Sequence, residues 1–239
     1  GSYITAQYDL SAPLLGANIG FQKFQASYNF YYSIPKIRRM TIAARAVIGL
    51  AHVFANGNRF SNSQFPGLDG ILPISERFFA GGSTTLRGFD FEEAGPRAVV
   101  VPQGTFRNSE GKQVYLDPFT LPFGGNGLAV VNIEARIPLS KSLRAVPFYD
   151  GGNVFRRVGD IFNPPKTVGS TAFEANLRAL WTNTVGLGLR LKTPIGGEFG
   201  VDYGYLLNPP QFRIPQASGP DAYYRLRQGQ IHFRFSQAF

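Results

Sequence analysis

The residues best placed to do chemistry in this chain are one arginine and two acids. Arg87 sits in a glycine-framed segment, Ala80-Gly81-Gly82-Ser83-Thr84-Thr85-Leu86-Arg87-Gly88-Phe89-Asp90. Glu134 and Asp150 follow, on the polar faces of the next two alternating segments. A guanidinium offers five donors in a planar fork and can engage two carboxylates at once. A carboxylate turned into a protein interior is costly unless it is paired. Adjacent strands lie about 4.8 Å apart, so both acids reach one guanidinium if their register matches. Gly81, Gly82 and Gly88 permit the tight backbone that drives a loop inward. The chemistry of such a set is a non-covalent lock. The competing arrangement is an exposed loop arginine, with the two acids paired to the nearby Arg136 and Arg144. The residues alone favour that competitor.

Other chemistry finds little support. The two histidines, His52 and His232, lie far apart and there is no cysteine, so neither a metal centre nor a cofactor is expected. A Gly-x-Ser-x-Gly elbow and a phosphate loop are both absent. A hydrolase working on the barrel surface needs Ser and His facing lipid together, whereas His232 has the parity of the polar face. The chain is therefore not expected to be an enzyme. Its net charge of +9 raises the question of nucleic acid. The basic residues, however, are scattered singly. Arg45, Arg136, Arg190 and Arg234 alternate onto polar strand faces, while Lys36, Arg38, Arg39 and Lys141 fall in turns. That pattern suits internal ion pairs, and no nucleic-acid partner is expected.

The elements that must position the lock are strands. Charged residues are only 16% of the 239, against roughly a quarter in ordinary soluble domains, while aromatics reach 14%. Strict period-two alternation marks eight runs. In the last, Ile231, Phe233, Phe235 and Phe239 share one face, with His232, Arg234 and Ser236 on the other. Phe199, Val201, Tyr203, Tyr205 and Leu207 oppose Glu198, Gly200, Asp202 and Gly204. Val185, Leu187, Leu189 and Leu191 oppose Thr184, Gly186, Gly188 and Arg190. The same pattern runs through residues 131–137, more weakly through 143–155, and again through 40–50, 24–32 and 3–10.

Each run is about nine to eleven residues, the length a tilted strand needs to cross a bilayer. Short turns at 35–38, 138–141 and 193–197 alternate with longer connections near 11–22, 55–126, 156–178 and 208–228. The pattern predicts an all-β, antiparallel, up-and-down transmembrane barrel forming one domain over 1–239, with a long loop at about 55–126. A soluble β-sandwich also alternates, but its polar face carries Lys, Glu and Thr. Here that face is sparse and rich in glycine, and no window approaches the ~18 uninterrupted apolar residues of a membrane helix.

Several segments together resemble the C-terminal barrel region of the BamA/TamA-type outer-membrane assembly proteins, the bacterial surface antigen family. They are Leu86-Arg87-Gly88-Phe89, Asn132-Ile-Glu134-Ala-Arg136-Ile-Pro138, Phe148-Tyr-Asp150-Gly-Gly-Asn153-Val-Phe155, Gly186-Leu-Gly-Leu-Arg190-Leu-Lys-Thr-Pro194-Ile-Gly196, Val201-Asp202-Tyr203-Gly204 and the terminal Phe235-Ser-Gln-Ala-Phe239. The likeness spans nearly residues 75–239 and keeps their order. It implies that the Arg-Gly-Phe loop enters the lumen and locks onto Glu134 and Asp150. It also implies that Ile231, Phe233, Phe235 and Phe239 form a C-terminal strand signal.

The resemblance further implies residence in the bacterial outer membrane and contact with lipid. Its partners would be unfolded outer-membrane clients, with accessory assembly proteins or a second copy. The function implied is helping β-barrels insert; a polypeptide-secretion pore of the same superfamily and a passive structural barrel are the alternatives. The family barrel has sixteen strands and upstream repeat domains, so eight strands correspond to its C-terminal half. Gly1-Ser2 resembles a tag-cleavage remnant, and a mature or truncated chain is expected. Eight strands alone would close the first, Tyr3 to Leu10, on the last, Ile231 to Phe239, leaving little room for a deep loop. The competing arrangement joins two chains edge to edge.

Overall fold

The computed structural model describes residues 1–35, 40–56, 70–100, 105–107, 109–111, 113–115, 119–163, 176–193, 196–214 and 220–236. Its frame is one antiparallel sheet of eight strands in chain order. These are β1 (Ser2–Ser11), β2 (Gly20–Ile34), β3 (Met40–Ala55), β4 (Gly127–Pro138), β5 (Leu143–Phe155), β6 (Thr182–Lys192), β7 (Glu198–Leu206) and β8 (Gly229–Ser236). All eight alternating runs are strands of this sheet. β2 and β3 run on past the expected ends, because the alternation continues through Phe21 and Val53 and pairs them. The β3–β4 ladder ends earlier, at Leu50 opposite Gly127.

The faces divide as the alternation predicts. Ile231, Phe233 and Phe235 are exposed on β8, as are Val185, Leu187, Leu189 and Leu191 on β6 and Tyr203 and Tyr205 on β7. The opposite face holds buried Thr184, Arg190 and Asp202. In water such an apolar outer surface would be an aggregation site; facing lipid it is the stable arrangement. Phe239 lies outside the described residues, as does most of the turn after β2.

Inside the curved sheet, the long connection between β3 and β4 supplies the core. Leu72, Phe78, Leu86 and Phe89 from the loop pack against Val47, Leu128, Val130, Val154 and Leu206 from the wall. The loop is tied to itself by bridges Phe78–Gly125 and Ala80–Ala94. Small hairpins (Arg97–Val100 with Phe119–Pro122, Gln211–Ile214 with Ala222–Arg225) decorate the long-loop end. A four-residue helix, Gly159–Phe162, follows β5.

The loop tip lies directly against the inner wall. Glycines on both sides make the room: a Cβ on Gly204 of the wall would collide with the Arg87 carbonyl, and one on Gly88 of the loop with the Thr184 side chain. Among the described residues no ladder joins β1 to β8. β1 is exposed along nearly its whole length, on both faces.

Placing a charge on the outer face tests this orientation. Phe233→Arg, opposite Val201 in the middle of β8, should lower folding stability in lipid by about 2–4 kcal/mol. Ser236→Arg, on the other face at the strand end, should cost about 0–1 kcal/mol. Urea titration of both variants in vesicles measures the difference, and equal losses would reject the assignment of faces.

Candidate functional site: a loop arginine held by two lumenal acids

A tight backbone turn presents the arginine. Gly81 and Gly82 take φ of 121° and 92°, values that disfavour any side chain. The Gly82 N–H donates to the Phe89 carbonyl at 3.1 Å and the Phe89 N–H to the Leu86 carbonyl at 3.1 Å. The Thr85 hydroxyl closes the neck, accepting from the Gly81 N–H at 2.8 Å and donating to its carbonyl at 3.0 Å. Leu86-Arg87-Gly88 is thereby held at the tip, with Leu86 fully buried.

On the wall, register brings the acids together. Asn132 pairs with Asp150 across β4 and β5, and Thr184 pairs with Asp150 from β6. Glu134 lies one inward-facing position beyond Asn132, opposite Phe148. Parity and register therefore place both carboxylates and the Phe148 ring on one small patch of lumen.

Arg87 fills that patch. Its Nε and Nη2 donate to Asp150 Oδ2 and Oδ1 at 2.8 and 2.7 Å, the parallel two-bond geometry of a matched fork. Its Nη1 donates to Glu134 Oε1 at 2.7 Å, and its own backbone N–H to Asp150 Oδ2 at 3.0 Å. The guanidinium carbon stands 3.4 Å from the centre of the Phe148 ring, a cation–π contact in a desolvated setting. Asn132 Nδ2 completes the Asp150 shell at 2.8 Å while also donating to the Thr85 carbonyl at 2.6 Å. Asp150 is 0% exposed and Arg87 3%.

The competing pairing coexists with this set. Arg136 Nε donates to the second Glu134 oxygen at 3.1 Å, whereas Arg144 pairs with Glu198 and not with Asp150. The entering limb of the loop has its own anchor. Arg77 donates to the carbonyls of Leu72 and Phe123 at 2.7 and 2.9 Å and lies over the Phe123 ring. Burial pulls its guanidinium down to about 10, still cationic at neutral pH.

Two further contacts were not singled out from sequence. Asp202, fully buried, accepts both bonds of Arg190 Nη2 at 2.8 and 2.9 Å, with Arg234 at 3.6 Å. His232 Nε2 lies 3.1 Å from the Arg87 carbonyl oxygen, tying the tip to β8. The legible signal for the first was an acid and an arginine at matching polar-face positions, flanked by Gly188 and Gly200, which leave the arginine its space. The second carried no local signal, since it joins residues 145 positions apart. Ile231, Phe233 and Phe235 stand on the opposite face from the lock and take no part in it.

Nothing in this arrangement breaks or makes a covalent bond. Four donors converge on one carboxylate, and their effect is to fix a loop inside a membrane-spanning sheet.

Fold and site together define a transmembrane antiparallel β-barrel with an internally locked loop. The family model described as the Omp85 superfamily domain matches residues 1–239, so the chain belongs to the Omp85 superfamily. It is an outer-membrane barrel of the insertion or secretion type. Among solved structures it is similar to BamA from Haemophilus ducreyi lacking POTRA domains 1–3, with a TM-score of 0.61 and 19% identity. That alignment covers 99% of this chain and 38% of the other, so the chain spans well under half of the protein it matches.

Cutting the lock gives a sharp test. Arg87→Ala strands Asp150 in the wall, and breaking one partner of a buried pair costs about 3–5 kcal/mol. Glu134→Ala should cost less, because Glu134 is partly exposed and Asp150 still holds the arginine. The double variant should fall short of the sum, because both changes cut one interaction. Additive losses in a double-mutant cycle would show that the two residues do not interact. Gly204→Ala should expel the tip without touching a charge, and protease accessibility at Arg87 reads that movement.

Proposed function

We propose that this barrel is the membrane part of an assembly factor that helps other β-barrel proteins fold and insert into the bacterial outer membrane. The observation that carries the reading is the contrast between its two sides. β4 to β8 are pinned to the locked loop, while β1 presents an unsatisfied backbone edge among the described residues. Unpaired N–H and C=O groups in lipid cost several kcal/mol each, and an incoming client strand relieves that cost by pairing with them. The aromatic outer face of β8 forms the other flank of the same seam. Lipid, unfolded barrel clients and accessory assembly proteins are the partners this mechanism needs.

Reconstitution into vesicles tests it. An unfolded client barrel should fold faster with the protein present than in lipid alone. A cysteine replacing Thr5 on β1 should cross-link to a client strand caught during insertion. Ion conduction without faster insertion would instead support a secretion pore. Neither effect would leave a passive barrel.

A further inference from the structure

Between the lock and the short-turn end of the sheet lies a cavity of about 140 Å³, bounded by Asn29, Arg45, Ser83, Glu134, Arg136 and Arg234 among others. Its charges do not cancel. The lock sets one guanidinium against Asp150 and Glu134, and Arg136 on Glu134 brings that group to neutrality. Arg190 cancels Asp202. Two arginines remain over. Arg234 stands 3.6 Å from an Asp202 already satisfied by Arg190. Arg45 makes a single bond, Nη1 to the Thr84 carbonyl at 3.1 Å, and has no carboxylate partner among the described residues.

We propose that this cavity is a binding site for a small oxyanion, a phosphate or carboxylate group. Three strands, β3, β4 and β8, each turn one guanidinium towards it, and guanidinium forks match planar and tetrahedral oxyanions. Asn29 and Ser83 supply neutral polar groups at the rim. A volume of this size admits such a group together with several waters. Surplus like charge in a partly desolvated lumen is repulsive, and a bound anion removes that repulsion. The site shares a wall with the lock at Arg87 and Glu134, but its two surplus arginines, Arg45 and Arg234, make no hydrogen bond to either acid of the lock.

Calorimetric titration of the folded protein in lipid nanodiscs with inorganic phosphate, at ionic strength fixed with sodium chloride, tests the site. Saturable phosphate binding is expected. Removing a charge-assisted donor should weaken it by about 10-fold or more in Arg45→Gln and again in Arg234→Gln. Arg144→Gln, whose partner is Glu198, should leave it unchanged. Arg45→Gln alone keeps the Asp202 cluster intact, so it remains informative if the Arg234 variant fails to fold. Equal binding of methyl phosphate would assign the site to a phosphate carried on a larger molecule, and its rejection to the free ion. Phosphate heats no different from those of chloride, or binding indifferent to Arg45→Gln, would overturn the proposal.

Discussion

The rest of the site depends on one constraint: a carboxylate with no exposure to solvent, Asp150, stands on the inner wall of a membrane-spanning strand. Left alone it would be among the most expensive groups in the molecule. The chain answers with an arginine delivered from a loop more than sixty residues away in sequence. Once Arg87 must reach Asp150, the rest follows. The neck at Gly81 and Gly82 has to be tight, Gly204 has to lack a side chain, and Asn132 has to present its amide to both wall and loop. A buried ion pair of this kind is weak evidence for stability in itself, because desolvation offsets much of the Coulombic gain. Its value here is positional. One geometry satisfies all four acceptor contacts, and the loop has no comparable alternative.

Most of the frame was legible because its physics is local. A strand with lipid on one side and a packed or wet lumen on the other must alternate, and strict alternation survives in the residue order of β6, β7 and β8. The loop's destination was not local in that sense. Arg87, Glu134 and Asp150 could be named as partners from their types and parity. Without the family pattern, though, pairing the acids with Arg136 and Arg144 was the simpler account. Glu134 in fact serves both arginines, because its two oxygens point different ways. The Asp202 cluster and the His232 contact went unselected for another reason. Each requires knowing that β7 and β8 are neighbours in a particular register, Asp202 opposite His232. Sequence periodicity gives the face of a residue but not its partner.

Depth of loop entry turns on the size of the side chains lining the inner wall. A closed eight-stranded barrel filled by ordinary side chains has little spare volume. This wall is not ordinary. Gly186, Gly188, Gly200 and Gly204 fall on its inner face in two adjacent strands, and neighbouring side chains or loop backbone already occupy the space where their Cβ atoms would stand. Glycine weakens a strand taken alone. Here the loop's Leu86 and Phe89 return that loss as buried apolar contact with Leu206 and Val154.

The restraints are therefore graded across the sheet. β4 and β5 are bound to the loop by charge, β6 and β7 by close backbone approach, and β8 by His232 on the Arg87 carbonyl. β3 contributes apolar contacts through Val47 and Ala51 near the long-loop end, and Arg45 on Thr84 lower down. β2 offers the loop a 4.0 Å pair between Lys23 and Glu76. β1 has no buried residue and is held by its ladder to β2 alone among the described residues. Regions with few buried contacts and exposed backbone bonds open at the lowest free energy. The lock thus does more than fill the lumen. By tying the loop to the later strands, it makes them the fixed side of the sheet and leaves the β1 edge the least restrained.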